Sequence, residues 1–508
     1  MIKQWIEIVK EKHFLVLLFV WCLSRIWTSL YYVADPDSLR FALASLDFDP
    51  ITFQPHFPLY PVFVFCSQIA SFLMGSFARG FSLIGAIAGI VITLSSLNIL
   101  KWWNPSEGFS LDRKGWILCL FIFLNPMLWL MSNRHMPDLM GLSIVMMILG
   151  ICKAAYEKTK VDSHSYTKQI FWAGMLCGLL MGVRISYAPL CLPILFFWRS
   201  SSLYTGLIIG FFLWFMPLCL HSSILELYDI AIAHSEGHFQ KFGGSIATEL
   251  DMFHRIYSLF GGFWGAGFNG YWEGRSKLLL VHSFFLVGMV ILLFSQIKHL
   301  WKINLRVWLG IPFVTYGIWI YLGQNIMFKF RHQMPLVLIL SILLAWTINH
   351  FYETKIKQSN ISKVFFCIIL SVFMSSFAWG SLKVIQSSQG PVALSQSLSV
   401  LKSQTMPLRI VCMSLVCHAL EKQGVKANYF QLDEMVNYQY ELKSLIVESA
   451  ESFSKIFLIG PNPKEIFDHG DSIQINLHQR FYHNPWSNPV WSVVHLSELT
   501  FNKFNEVK

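Results

Sequence analysis

The sequence predicts a mostly α-helical, polytopic membrane bundle of about eleven spans, followed by a small α/β domain outside the membrane. Three observations carry that reading. The 508 residues are 54% apolar and 16% aromatic but only 13% charged, far from the composition of soluble domains. Several apolar runs approach the roughly 20 residues needed to cross hydrocarbon. Lysine and arginine fall in short clusters between those runs, as membrane topology requires. The formal charge of +10 is therefore accounted for by topology, and no nucleic-acid partner is inferred. The ten cysteines lie mostly inside apolar runs without metal-ligand spacing, as small core residues do. Cys412 and Cys417 stand apart as a candidate disulfide.

The first apolar run, residues 14–33, follows Lys3, Lys10 and Lys12. Bulky Tyr31-Tyr32-Val33 precedes Asp35-Pro36 where a signal peptide would have small residues, so the run is read as an uncleaved first span. The basic clusters at 3–12, 101–114, 153–168, 298–306 and 355–363 must share the cytoplasmic side, so each gap between them holds an even number of crossings. In the first gap, residues 80–100 pair with 14–33. The run 57–75, with Pro58, Pro61, Ser67, Gln68 and Ser71, is left as a juxtamembrane helix on the outer side. Spans 115–131 and 136–152 follow, joined outside by the string Ser132–Asp138. The run 169–198 must be two short segments if parity is to hold, broken at Gly182-Val183-Arg184 with Arg184 outside. The alternative is one long tilted helix with a buried, partnered arginine. Span 203–221 leads to a long outer loop, 222–275, and then to 278–296. Span 307–323, the outer string 324–332, and spans 334–349 and 364–382 complete the count.

From about residue 386 the composition changes. Strands are expected at 409–413, 427–432 and 455–460, with helices at 415–423 and 434–449. The chain divides on this reading into a membrane domain, 1–385, and an extracytoplasmic domain, 386–508. The latter is long enough to bury a small core and carries no Walker A loop, GxGxxG or zinc spacing.

The first outer loop, within 35–76, concentrates Asp35, Asp37, Asp47 and Asp49 with Arg40 and no lysine. Carboxylates crowded beside a membrane are costly, and as a cluster they suggest function. Topology places Asp35, Asp37, Arg134, Asp138, Arg184, His234, His238, Lys329, Arg331 and His332 at one membrane level. A carboxylate there can serve as general base to a hydroxyl, and cations can hold an anionic head group. Those are the needs of group transfer from a lipid phosphate. Asp35-Pro36-Asp37 and Asp47-Phe48-Asp49 also have the spacing that can hold Mg²⁺ or Mn²⁺ against phosphate oxygens. Such pairs are common in loops, so no metal is assigned and a divalent ion is the one open cofactor.

These residues resemble a family. Asp37-Ser38-Leu39-Arg40-Phe41 is similar to the first outer loop of the GT-C glycosyltransferases. Gln54-Pro55-His56-Phe57-Pro58-Leu59-Tyr60-Pro61 resembles their string before a juxtamembrane helix, with Leu59 where glycine is usual. The string 132–138 resembles the outer loop between spans three and four of bacterial members, Gly182-Val183-Arg184 the GxR of their broken helix pair, and 237–244 a GHFxxWGG string of a bacterial branch. The family includes protein O-mannosyltransferases and aminoarabinose transferases. The resemblance implies an integral-membrane enzyme that moves a sugar from a polyprenyl- or dolichyl-phosphate donor to a glycan, lipid or protein hydroxyl, inverting the anomeric centre. It implies Asp37 as catalytic base. Asp138 is the second candidate catalytic carboxylate, and it also reads as an ion-pair partner of nearby Arg134. Arg134, Arg184, His56, Tyr60, His238, Lys329, Arg331 and His332 are the candidate substrate and phosphate ligands. A bacterial inner membrane with the site on the periplasmic face is the expected location. A transporter or flippase of an anionic lipid-linked substrate is the rival, disfavoured because no internal repeat is detected and the charges gather at the outer edge.

Overall fold

The structure, a computed structural model, describes residues 12–33, 35–52, 54–102, 113–159, 166–236, 245–246, 251–272, 275–302, 305–326, 329–432, 435, 437–452, 454–467, 473–482 and 493–501. These fall into two compact units, Met1–Leu30 with Ala44–Ser388, and Tyr31–Leu43 with Gln389–Lys508.

The first unit is helical. Its elements include α1 (Lys12–Trp27), with α2 (Pro36–Ala44) reaching it only at its last residue. Then come α3 (Pro61–Met74), α4 (Phe77–Leu100), α5 (Arg113–Phe123), α6 (Pro126–Asn133), α7 (Asp138–Thr159) and α8 (Thr167–Arg184). A 3₁₀ helix, Ile185–Phe197, continues α8 and precedes α9 (Ser201–His221). Six described helices are long and apolar enough to span a bilayer, or seven if α5 and α6, bent by 59°, count as one. The protein is a multi-pass integral membrane protein. The shorter apolar helices Phe14–Trp27, Pro61–Met74 and Leu279–Ser295 fall outside that count. At Asn125 the side chain accepts a hydrogen bond from the Leu128 N–H at 3.0 Å, and Pro126 opens the next helix. That cap and proline end α5 and restart the chain in a new direction. The run 57–75, expected to be juxtamembrane, contains the 14-residue α3.

One expectation is corrected here. Parity of crossings divides residues 169–198 into two short segments, but the structure keeps Thr167–Phe197 as one 31-residue helical run. Its character changes from α to 3₁₀ at Arg184–Ile185 instead of reversing. Pro189 and Pro193 remove N–H donors from the second part, which loosens the α pattern without turning the chain.

Close helix approach in this unit relies on glycine. On α8, a Cβ at Gly174 would lie 2.2 Å from the Leu203 carbonyl oxygen, and on α9 one at Gly206 would lie 2.1 Å from that of Phe171. Gly178 and Gly210 repeat the contact four residues on, a small-xxx-small seam on both helices. Arg25 is buried between Trp21 and Trp129, its Cζ 3.4 and 4.0 Å from the ring centroids, and donates to the Phe123 carbonyl at 2.6 Å. It locks α1 to α5 and α6.

In the second unit, β1 (Leu408–Cys412), β2 (Asn428–Gln431) and β3 (Lys455–Gly460) form where alternating and continuous apolar runs predict them. With β4 (Ile473–Tyr482) and β5 (Val493–Phe501) they make one sheet, ordered β2-β1-β3-β5-β4. The first three are mutually parallel and β5 is antiparallel to β3 and to β4. Central parallel strands must be buried on both faces. Ala393, Leu401, Val416 and Leu420 cover one face of the sheet, and Leu442 and Ile446 the other.

Candidate functional site

In the first unit a buried charged cluster forms around Asp138. This residue opens α7, where the positive end of the helix dipole favours a carboxylate. Arg184, the last residue of α8, brings its Nη2 to 3.1 Å from Asp138 Oδ1. Arg331 Nε lies 4.0 Å from the same oxygen. His332 Nδ1 is 3.4 Å from Arg184 Nη2, and Tyr316 Oη donates to the His332 carbonyl at 3.1 Å. Tyr187 packs edge-on against Tyr316 with centroids 5.6 Å apart, and Arg184 lies 5.5 Å from the Tyr187 ring. Gly141 makes room for this: a Cβ there would sit 2.8 Å from Arg184 Cβ.

Asp138 is 0% exposed, and Arg184, Arg331 and His332 are 4–6% exposed. At such burial an uncompensated charge is untenable, so the carboxylate is what allows the guanidiniums to sit there. Two guanidiniums thus face one carboxylate. Neither Asp138 oxygen accepts a well-aligned hydrogen bond among the described residues, and neither Arg184 Nε nor Tyr187 Oη has a hydrogen-bond partner there. The unused donors at Arg184 Nε and Tyr187 Oη, beside two guanidiniums, suit an anionic oxygen group.

The turn before α3 lies in the same unit. Asp49 and Gln54 exchange backbone hydrogen bonds at 3.1 and 2.9 Å, and Asp49 Oδ1 accepts from the Ile51 N–H at 2.9 Å. Leu59 (φ +66°) and Tyr60 (φ +48°) take left-handed backbone, at a cost on the order of 1–2 kcal/mol for each non-glycine residue. That conformation explains the glycine usual at position 59 in the resembling string. Burial of both side chains offsets the cost here. His56 Nε2 is 3.4 Å from Tyr60 Oη, and His56 stacks on His234 at 5.5 Å. Tyr60 is also among the groups acting electrostatically on Arg184, so the turn and the cluster belong together.

In the second unit, Asp35 caps α2: its Oδ1 accepts from the Ser38 N–H at 3.1 Å, ahead of Pro36 at the first helical position. Asp37 is half-buried in the first turn. Burial pulls the Arg40 guanidinium below its ordinary value, and Asp37, one turn earlier, opposes that pull. The four aspartates of the loop are thus not equivalent. Asp35 and Asp49 spend acceptor capacity on backbone, and Asp47 is exposed.

The structure therefore brings together Asp138, Arg184, Arg331 and His332, with Tyr60 and His56 adjoining. Arg134 is buried at the end of α6, and Lys329 is half-buried just before the Phe330–Gln333 turn. His238 lies outside the described residues. Among those described, no three His, Cys, Asp or Glu side chains converge as a metal site would require. Sequence reasoning missed Tyr187, Tyr316 and Gly141. Tyr187, one helical turn past Arg184, carried a signal; Tyr316 carried none.

A polytopic helical bundle followed by a small mixed sheet defines a class of membrane architecture, and solved structures share that fold. ArnT from Cupriavidus metallidurans bound to undecaprenyl phosphate superposes with a TM-score of 0.58 at 11% identity, over 95% of this chain and 97% of that one. Its apo state gives 0.54, over 96% and 98%. The Archaeoglobus fulgidus oligosaccharyltransferase tethered to an acceptor peptide gives 0.52 at 12% identity, over 89% and 69%. The chain thus shares the fold of these structures, in keeping with the resemblance to GT-C enzymes noted in its motifs. No family model and no curated protein matches it by sequence.

Proposed function

We propose that this chain is a membrane-embedded glycosyltransferase that moves a sugar from a polyprenyl-phosphate donor to a hydroxyl acceptor on the non-cytoplasmic face, in a bacterial inner membrane. The observation that carries the reading is the buried cluster of Arg184, Arg331 and His332 around Asp138. Its two guanidiniums suit a lipid phosphate and the charge that builds on phosphate as the glycosidic bond breaks. The ArnT structure with undecaprenyl phosphate supports the donor class.

In the proposed reaction Asp37 takes the proton of the acceptor hydroxyl. The acceptor oxygen attacks the anomeric carbon, the bond from that carbon to the phosphate oxygen breaks, and polyprenyl phosphate leaves with the electron pair. One displacement inverts the centre. Asp138 holds Arg184 and Arg331 in place, and Arg134, Lys329, His56, Tyr60 and His238 complete the donor site. The test is an assay of purified protein against radiolabelled polyprenyl-phosphate sugars. Transfer from at least one donor is expected, and failure with every donor would sink the reading.

Replacing Lys329 or Arg331 by Gln should weaken donor binding as well as turnover, since each loses a charge-assisted contact. Lys329→Arg should partly restore both. Unchanged donor affinity in both Gln variants would assign these residues to structure alone.

The reading places residues 1–385 in an eleven-crossing catalytic domain with 386–508 outside the cytoplasm. Cysteines introduced near Asn104 and Thr159 are then protected from an impermeant thiol reagent in intact cells, and one near Ser472 is labelled. Labelling at Asn104 would overturn this topology. A Cys412–Cys417 disulfide agrees with an oxidising compartment for the second unit.

A further inference from the structure

Residues Tyr31–Leu43 form one compact unit with a domain that begins nearly 350 residues later, at Gln389. The contact has a defined place. The sheet order puts β1 between β2 and β3, so the crossovers leave β1 in opposite directions and the carboxyl ends of β1 and β3 flank a switch point. Open α/β sheets bind ligands in the crevice at that point. Here the crevice is lined by Met413, Leu415 and Ile459, and facing them are Val33, Pro36 and Leu39 of the first outer segment. A cavity of only about 40 Å³ remains between the two sides.

The chemistry of the crevice is wrong for a phosphate or nucleotide. The chain leaving β1 reads Cys412-Met413-Ser414-Leu415-Val416-Cys417 and enters a helix at Ser414. It is largely apolar and has no glycine-rich phosphate cradle, and the one glycine lining the crevice, Gly460, ends β3. The stretch 412–417 is also rigid, because Cys412 and Cys417 are disulfide-bonded across it. The seated segment is equally defined. Asp35 is buried and caps α2, and Ser38 and Phe41 are each 1% exposed. Asp37 lies two residues from the cap, between seated Pro36 and Leu39.

We infer that the C-terminal domain is a positioning module, whose switch-point crevice seats α2 and so fixes the direction in which Asp37 is presented. Leu415 and Leu39 act through Asp37 and are positioning residues. The catalytic part of this inference rests on the proposed role of Asp37; the seating does not.

The test uses the full chain in lipid nanodiscs with Leu415→Asp, Leu39→Ala and the conservative Leu415→Met. Hydrogen exchange of residues 36–43 is read against that of β1 and β3, which reports whether the domain itself is folded. Leu415→Asp and Leu39→Ala should each raise exchange in 36–43 by about tenfold or more, with the strands unchanged. Sugar transfer should fall by about tenfold in kcat with donor affinity held, because only orientation is lost. Leu415→Met should match the parent in both. Unchanged exchange of 36–43 in the folded variants would overturn the seating. Raised exchange with undiminished kcat would overturn the positioning role. If the parent protein transfers no sugar, the enzymatic reading fails, while exchange still decides whether the crevice holds α2.

Discussion

Asp37→Asn is expected to lower sugar transfer by about 10²-fold or more while leaving the protein folded. The substitution keeps size and most hydrogen-bonding capacity but removes the basic oxygen. Asp37 sits in the first turn of α2, one turn before Arg40, on which it acts electrostatically. Donor binding should persist, since the cations around Asp138 are the proposed holders of phosphate. Asp47→Asn and Asp49→Asn are the internal controls. Asp47 is exposed and Asp49 serves the 49–54 turn, so both should retain most activity. Near-normal transfer by a well-folded Asp37→Asn protein would remove the base from the mechanism. Equal collapse of all three variants would point to a structural or metal-holding role for the whole acidic loop.

The second large effect concerns stability. Asp138→Ala leaves Arg184 buried without its carboxylate, 3.1 Å away in the parent, and should cost about 3–5 kcal/mol. Asp138→Ala combined with Arg184→Met removes that pair but still leaves Arg331 buried without the carboxylate. It should therefore recover only part of the loss, with a coupling energy on the order of 1–3 kcal/mol. Thermal unfolding of the four proteins in one detergent measures the cycle, and donor titration of the double variant measures function. The double variant should fold yet bind donor weakly. A parent-like melting temperature for Asp138→Ala would mean that the pair is not energetically buried. Full donor affinity in the double variant would free Arg184 of any phosphate role.

Much of the site was legible because its residue types are expensive where they occur. Arg184 and Asp138 stand inside or beside apolar runs, and an ionisable group there must find a partner. Sequence distance misleads about which partner. Proximity in the chain pairs Asp138 with Arg134, four residues away, whereas the structure gives it Arg184 and Arg331. Asp35 is a contrasting case: Asp-Pro before a helix is a capping signal, and that local signal is enough to separate the role of Asp35 from that of Asp37.

By itself the sequence determined the class of the protein, because hydropathy and lysine placement are sums over local residues that the bilayer reads directly. It also located three strands of the second unit, whose apolar runs are local signals of the same kind. Tertiary structure alone decided how Thr167–Phe197 runs, since prolines can either turn a helix or only loosen it and neighbouring packing selects the outcome. It also decided that α8 and α9 approach through interleaved glycines, and that the segment bearing Asp37 packs with a domain encoded at the far end of the chain. Contacts between residues hundreds of positions apart depend on shape and on which surfaces remain unburied after local folding, and a single sequence carries no local signal for either.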